Sequence, residues 1–394
     1  MYWNLAMMDW NNTTLDLNLR TNDLNVTTTD WNGLTMLQNV TTVDGNGKTM
    51  GRGFIEMLNS LSATFHWKPL KSRIRIVLQI LQLIYYPILA AIAVPANILT
   101  IVILSQEKCG LSRCVSHYLV AMAIADLLVI TFELILRHIP FVYLEDHHFL
   151  EGIPVCNIHA VLLYAATDCS VWFTVTFTFD RFVAICCPIL RSKYCNVKTA
   201  AVALATVSGL SCLKNIFWYF LFTHRYYVRS RPWLCFVTSD VKFSPVWGTI
   251  EFCHYILTPG VAFILILLLN VLTVRHIAVT SRSRRRLQQS NRKGSKDPEM
   301  KNRKNSIILL FLISGNFILL WSVSMVYSIN WRMNFLTYES SYLPLFVMEL
   351  GYMLQMLSCC TNTLIYVITH PKFREHLKNI MYYPFTPIVT CIKH

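Results

Sequence analysis

Charged side chains are scarce in this sequence. Asp, Glu, Lys and Arg make up 14% of its 394 residues, whereas hydrophobic residues make up 54%. A water-soluble globular chain is about one quarter charged, so this composition excludes that class and predicts an integral membrane protein. The formal net charge of +14 lies mainly in the connections between apolar runs. There it orients a protein in the lipid bilayer, so nucleic acid is not an expected partner.

The sequence also lacks the signals of several other classes. Residues 1–10 have no apolar core, so no cleavable signal peptide is expected. No His-Glu-x-x-His motif or pair of catalytic carboxylates is present, and His147 and His148 lack metal-ligand spacing, so an enzyme is not expected. The absence of internal repeats or a filter-like motif disfavours a transporter or channel, which remains the alternative class.

Long apolar runs dominate the rest of the chain. Each is long enough to cross a bilayer, where only a helix satisfies its backbone in lipid. The sequence therefore predicts an all-α membrane protein, a seven-transmembrane helix bundle. The predicted spans are Ile76–Ser105, Val115–Ile139, Cys156–Cys187, Val197–Thr223, Pro245–Ile277, Asn305–Ile329 and Tyr342–Thr369.

The flanking segments predict the orientation and the domain boundaries. Residues 1–75 are polar and contain sequons, which indicate a disordered, glycosylated extracellular tail. Nineteen Lys and Arg lie on the side that holds the C-terminus, against nine on the other side. We therefore expect a multi-pass plasma-membrane protein with its C-terminus in the cytoplasm. The seven-transmembrane domain covers residues 76–370, and residues 371–394 form an amphipathic helix and short cytoplasmic tail. The predicted glycosylation sites are Asn11, Asn12, Asn25 and Asn39.

This topology leaves two cysteines at the extracellular face, Cys156 and Cys235. That face is the oxidising compartment, so we expect a disulfide between them, with two free thiols as the alternative.

Polar and aromatic residues recur at characteristic positions within the predicted spans. Cys156 is followed after 25 residues by Arg181, with Asp180 before it. The remaining positions are Asn97, Asp126, Pro259, Phe317, Trp321, Asn362, Tyr366 and Phe373. Taken together, these residues resemble the rhodopsin-like (class A) G-protein-coupled receptors. The segments VPANILTIVILSQ and SHYLVAMAIADLL are most similar to an orphan branch linked to aromatic amino acids.

The resemblance implies a cell-surface receptor that activates a heterotrimeric G protein. The signalling residues that it implies are Asp180, Arg181, Asn362, Tyr366, Trp321 and Phe317. It also implies a sodium ion that acts as allosteric modulator and is held by Asp126, Ser170, Ser358 and Asn362. No other cofactor is expected. Arg303 and Lys304 stand at the start of the sixth span, so an ionic lock to Arg181 is not expected. Val323 and Thr363 replace prolines, which removes the usual kink sites and leaves a non-coupling decoy receptor as an alternative.

An extracellular ligand is expected in the outer half of the bundle. Leu163 stands where amine receptors carry an aspartate, so a biogenic amine is disfavoured. Side chains of both charge signs predict a small zwitterion or a short peptide instead. The predicted ligand-binding residues are Glu133, Arg137, Tyr164, His254, Trp321, Arg332, Glu349 and Tyr352, with Asp168, Lys214 and Glu251 as further polar candidates.

Overall fold

A computed structural model describes eight stretches of the chain. They are residues 70–106, 109–139, 153–222, 226–228, 235–237, 245–288, 298–337 and 342–382. The predicted glycosylation sites Asn11, Asn12, Asn25 and Asn39 lie outside these residues, as do the end of the cytoplasmic tail and the side chains of Cys156 and Cys235.

Helices account for nearly all of the described residues. They are α1 (Leu70–Ser105), α2 (Arg113–Val129), α3 (Ile153–Cys186), α4 (Pro188–Tyr194), α5 (Val197–Phe222), α6 (Pro245–Tyr255), α7 (Ala262–Gln288), α8 (Pro298–Thr337), α9 (Leu345–Thr369) and α10 (Pro371–Tyr382). π-Helical segments continue α2 through Ile130–His138 and join α6 to α7 through Ile256–Val261.

The described residues fall into two compact units. One holds residues 70–81, the beginning of α1, together with Pro344–Phe346. The other holds the described parts of Gln82–Leu343 and Val347–His394 and contains every candidate site discussed below.

Helix α3 is the centre of the larger unit. It contacts α2, α5, α7 and α8, as well as both π-helical segments. Toward one end of the unit, Phe177 of α3 lies in an apolar cluster with Leu119 of α2, Leu310 of α8 and Tyr366 of α9. This position explains why the motif-bearing residues of α3 reach partners on several other helices.

The helices turn apolar side chains outward and polar side chains inward. Leu210 and Leu213 of α5 are 60% and 67% exposed, whereas Asn97 and Asp126 are 1% and 2% exposed. This inversion of the soluble pattern suits a surface that faces lipid.

Six helices are long and apolar enough to cross a membrane, judged by length and composition over the described residues. They cover Arg73–Ser105, Arg113–His138, Asn157–Cys186, Val197–Ile216, Gly248–Arg282 and Asn305–Asn334. The predicted multi-pass membrane protein is thereby supported. Helix α9, which corresponds to the seventh predicted span, is not among the six, although its 25 residues are about 37 Å long.

Helix α10 follows α9 after His370. Its Phe373 is fully buried, with its ring centroid 5.9 Å from that of Tyr366. Lys372 and Arg374 on the same helix are exposed. The helix therefore has one face packed on the protein and one polar face.

A short antiparallel ladder was not anticipated from the sequence. Strand β1 (Tyr226–Val228) pairs with β2 (Cys235–Val237), with Val228 opposite Cys235. Such a ladder depends on a turn and on cross-strand contacts, which helical periodicity does not report. Strand β1 contacts α3, the helix that contains Cys156.

Candidate ligand and signalling sites

The pair Asp180–Arg181 is buried near the end of α3; Asp180 is 6% exposed and Arg181 is 7% exposed. The Arg181 Nε donates to Asp180 Oδ2 at 3.0 Å, and Nη2 donates to the same oxygen. Asp180 Oδ1 accepts a hydrogen bond from Cys114 Sγ of α2 at 3.4 Å. The carboxylate therefore joins two helices while it neutralises the arginine.

Cys195, between α4 and α5, supports the same residue from another direction. Its Sγ donates to the Asp180 carbonyl oxygen at 3.7 Å. Burial raises the pKa of the Cys195 thiol to about 11, and the nearby Asp180 adds to this effect. The thiol thus stays protonated and remains a donor at neutral pH.

Arg181 also contacts the helix that corresponds to the sixth predicted span. Its Nη1 donates to Ser306 Oγ of α8 at 3.3 Å. This contact is a hydrogen bond to a hydroxyl group. Ser306 was not identified from the sequence, because a single serine beside Arg303 and Lys304 carries no distinguishing pattern.

Phe317 and Trp321 of α8 lie together in the core, as their spacing of four residues suggested. Their ring centroids are 5.2 Å apart, and Phe263 of α7 lies 5.3 Å from Phe317. The Trp321 Nε1 donates to Ser358 Oγ of α9 at 2.9 Å. Trp321 of α8 therefore contacts α9, the helix that contains the predicted signalling residues Asn362 and Tyr366.

Two of the other three predicted sodium ligands, Ser170 and Asn362, contact Asp126. Ser170 Oγ donates to Asp126 Oδ1 at 2.7 Å, and Asn362 Nδ2 donates to Oδ2 at 2.8 Å. Ser358 is engaged with Trp321 and donates to the Gln355 carbonyl oxygen at 2.7 Å. The Asp126 and Ser170 oxygens fit a hard cation, which prefers oxygen ligands.

Helix α9 is hydrogen-bonded to α1 at Thr363, the position where the resembled class A receptors have a proline. Thr363 Oγ1 lies 2.9 Å from Thr100 Oγ1 and donates to the Ala96 carbonyl oxygen at 3.3 Å. Asn97 Nδ2 donates to the Cys359 carbonyl oxygen at 3.0 Å. The helix is continuous through Thr363, as the missing proline predicts.

A buried ionic cluster occupies the π-helical end of α2. Arg137 Nη1 donates to both oxygens of Glu133, at 2.9 and 3.0 Å. His138 Nε2 lies 3.1 Å from Glu133 Oε1. In a π-helix the residue five positions on lies near the first, so this segment brings both His138 and Arg137 to one carboxylate.

Aromatic rings connect this cluster to neighbouring helices. The His138 ring lies 5.1 Å from Tyr86 of α1 and 5.8 Å from Tyr352 of α9, centroid to centroid. Glu349, one turn before Tyr352 on α9, is fully buried.

The remaining predicted ligand-binding residues lie between α3, α5, α6 and α8. The Tyr164 ring lies 5.3 Å from Trp218 and 5.5 Å from His254. The Arg332 guanidinium lies 3.8 Å from the centre of the Tyr255 ring, a cation–π contact. The predicted ligand-binding residues thus form two groups, one at α2 and α9 and one at α3, α6 and α8.

A polar network beneath the second group was only partly anticipated. Lys214 Nζ lies 2.6 Å from Asp168 Oδ2, which also accepts from Asn215 Nδ2 at 2.6 Å. Thr258 Oγ1 accepts from Lys214 Nζ at 3.3 Å and from Trp172 Nε1 at 2.9 Å. Asp168 and Lys214 were polar candidates from the sequence, whereas Asn215 and Thr258 were missed. Asn215 could have been found, because it is a polar residue inside an apolar run.

These features define a class of protein. A bundle of apolar helices encloses a buried Asp-Arg pair on its central helix, a polar centre at Asp126 and the Phe317–Trp321 pair. The chain belongs to the 7 transmembrane receptor (rhodopsin family), whose model matches residues 96–366. It is a G-protein-coupled receptor and not an enzyme.

Three of the proteins that the chain resembles are distant in sequence. The chain is 23% identical to the mouse "Probable G-protein coupled receptor 142" over 80% of its own length and 77% of the relative's. It is 25% identical to the human "C-C chemokine receptor type 1", with 75% and 78% covered. It is 23% identical to "Neuropeptide receptor 22" of Caenorhabditis elegans, with 76% and 68% covered.

Proposed function

We propose that the protein is a plasma-membrane receptor that binds a small zwitterion or a short peptide outside the cell and activates a heterotrimeric G protein inside it. The buried Arg181, paired with Asp180 and joined to Ser306, is the observation that carries this proposal. The names of two relatives, a neuropeptide receptor and a chemokine receptor, favour a peptide. Placement in the branch linked to aromatic amino acids rests on the two resembling segments alone.

The signalling step is a change at the cytoplasmic ends of α3 and α8. The Arg181–Ser306 hydrogen bond holds these ends together. When α8 moves away, the contact breaks and Arg181 becomes available to the G protein. A ligand drives this change only to the extent that it binds the open state more tightly than the closed state.

The polar centre links this end of the bundle to the ligand site. Trp321 contacts α9 through Ser358, and Asn362 of α9 contacts Asp126 of α2. A sodium ion at Asp126 and Ser170 would add ionic contacts between α2 and α3 and favour the closed state. Tyr366 and Phe317 complete the set of residues whose packing must change.

The ligand site lies in the outer half, between the two groups of predicted residues. Glu133 and Arg137 form an ion pair with each other, so we expect them to shape the site rather than bind the charges of the ligand. Tyr164, His254 and Tyr352 supply its rings, while Arg332 and Glu349 place one charge of each sign on α8 and α9.

Several features complete the proposed topology. Helix α9 serves as the seventh span, which places the N-terminus outside and the C-terminus inside. Helix α10 lies on the inner leaflet with Lys372 and Arg374 near the lipid headgroups. A Cys156–Cys235 disulfide and glycans at Asn11, Asn12, Asn25 and Asn39 belong to the extracellular side.

A screen in cells tests the ligand class. Wild-type receptor, expressed with each family of G proteins, is exposed to amino acids, short peptides and biogenic amines, and G-protein activation is recorded. We expect zwitterions or peptides to activate and amines to fail. Arg332→Gln and Glu349→Gln should weaken an active compound about tenfold or more, since each removes a charge-assisted contact. Activation by amines, with no effect of either substitution, would contradict the proposed ligand class.

A decoy receptor that binds without signalling is the second candidate. The continuous helices α8 and α9, with Val323 and Thr363 in place of prolines, favour it. Saturable ligand binding without exchange on any G protein would select this alternative.

A further inference from the structure

Among the residues that the structure describes, the ammonium group of Lys214 has two partners and one donor that contacts neither. Its ammonium group has three donors, and contacts to Asp168 and Thr258 use two of them. The Lys214 side chain is 27% exposed, whereas that of Asp168 is 3% exposed. The ion pair is therefore accessible from its lysine side.

His254 lies one turn before Thr258, the residue that Lys214 contacts. Its ring meets Tyr164, Trp218 and Tyr255 at centroid distances of 5.5, 5.2 and 5.6 Å, each nearly perpendicular. The imidazole nitrogens make no hydrogen bond to any residue in the described part of the chain. A neutral imidazole has one N–H donor, so His254 offers a second donor one helical turn from Thr258, the residue that Lys214 contacts.

The electrostatic surroundings of His254 favour an anion. Two cations, Lys214 and Arg332, act electrostatically on its ring. Tyr164 and Trp218 are stacked at an interplanar angle of 26° beside it. A ligand ammonium would be repelled here, whereas a carboxylate would accept from both donors and place an apolar group against the rings.

We propose that Lys214 and His254 form a subsite for the carboxylate of the ligand, with Tyr164 and Trp218 as the wall for an adjoining aromatic or apolar group. The subsite rests on the proposed function, because it assigns one end of the zwitterion or peptide to α5 and α6. The acidic end of the ligand then points toward these helices.

Phenylacetate and phenylacetamide are the probes for this subsite, because they share the benzyl group and a carbonyl oxygen, whereas only phenylacetate is negatively charged. Full-length receptor in lipid nanodiscs is titrated with each, and the thermal shift gives the affinity. We expect saturable stabilisation by phenylacetate and binding of the amide weaker by about tenfold. Equal binding of the two probes, or no stabilisation by phenylacetate up to about 50 mM, overturns the proposal.

Substitutions locate the bound probe. His254→Phe keeps the ring and removes the donor. The double variant Asp168→Asn/Lys214→Gln keeps the network neutral, so the bundle should fold. Each should weaken phenylacetate by about tenfold, while His276→Phe, on the cytoplasmic part of the same span, should have no effect. The histidine nitrogen resonance that His254→Phe removes should also move on adding phenylacetate to wild type. Undiminished binding by both variants overturns the proposal.

The same preparation separates this proposal from the proposed function. Arg181→Ala should abolish nucleotide exchange on the G protein and leave phenylacetate binding unchanged. Exchange without probe binding refutes the subsite alone, and probe binding without exchange refutes coupling alone.

Discussion

Asp126 shows how a single buried carboxylate can hold three helices together. Its Oδ1 accepts a hydrogen bond from Ser170 of α3, and its Oδ2 accepts one from Asn362 of α9. Placing a carboxylate at this depth in a membrane protein costs free energy, and carboxylates that are retained there mark functional sites. The oxygens of Asp126 and Ser170 can act as ligands for a cation, which is the basis of the sodium proposal.

We predict that sodium chloride stabilises the wild-type receptor more than choline chloride does. The gain should be about 1.4 kcal/mol when sodium is at about ten times its Kd, measured as a rise in Tm. Asp126→Asn should lose the difference between the two salts. Ser358→Ala should keep it, because Ser358 is engaged with Trp321. An unchanged salt response in Asp126→Asn would rule out sodium at this carboxylate.

Asp126 was visible in the sequence as an ionisable residue inside an apolar span, and its grouping with Ser170 and Asn362 was implied by the resemblance to the class A receptors. The Ser306 contact could not be predicted, since serine is common in helices and its partner depends on how α8 is rotated. Lys214 was a visible candidate for the same reason as Asp126. Its partners Asp168 and Thr258 became known only from the packing of α5 against α3 and α6.

At the scale of whole elements, the helical spans follow directly from the lengths of the apolar runs. The π-helical segments do not, because one inserted residue leaves the apolar pattern nearly unchanged. The Ile130–His138 segment nevertheless determines which side chains meet at Glu133.

The Glu133 cluster gives a prediction for that segment. Glu133→Gln leaves Arg137, whose side chain is only 12% exposed, without its ionic partner and should cost about 3–5 kcal/mol. The double variant Glu133→Leu/Arg137→Met removes both charges and should recover most of that loss. Thermal unfolding of the three proteins, with surface expression as a second measure, checks this. A double variant less stable than Glu133→Gln would show that the ion pair itself stabilises the segment.

The packing of α8 against α9 gives a second prediction. A Cβ atom added at Gly351 would lie 2.9 Å from the backbone nitrogen and Cα of Ser324. Gly351→Ala should therefore push these helices apart and destabilise the protein by about 1–3 kcal/mol.

Gly315→Ala on α8 is the matched control for that change. A Cβ atom there meets nothing within 4 Å, so this substitution should be neutral or slightly stabilising. Equal unfolding temperatures for Gly351→Ala and Gly315→Ala would show that the two helices adjust without cost.

At the scale of the whole molecule, loop charge and the sequons predict the same orientation independently. Glycosidase treatment should increase the mobility of the wild-type protein on a gel, and replacing Asn11, Asn12, Asn25 and Asn39 by Gln should abolish that change. An epitope at the C-terminus should bind antibody only in permeabilised cells. Antibody binding in intact cells would place the C-terminus outside and reverse the topology.

The central claim is that the contact between Arg181 and Ser306 holds the receptor in its non-signalling state. The most direct measurement is the basal rate of guanine-nucleotide exchange on a G protein by purified receptor. Ser306→Ala should raise this rate about two- to tenfold, since it removes one hydrogen bond of about 0.5–1.5 kcal/mol, and Arg181→Ala should abolish it. Ser306→Glu should lower the rate below wild type by restoring an ionic partner to Arg181. A lower rate in Ser306→Ala, or full activity in Arg181→Ala at equal amounts of folded protein, would contradict the account.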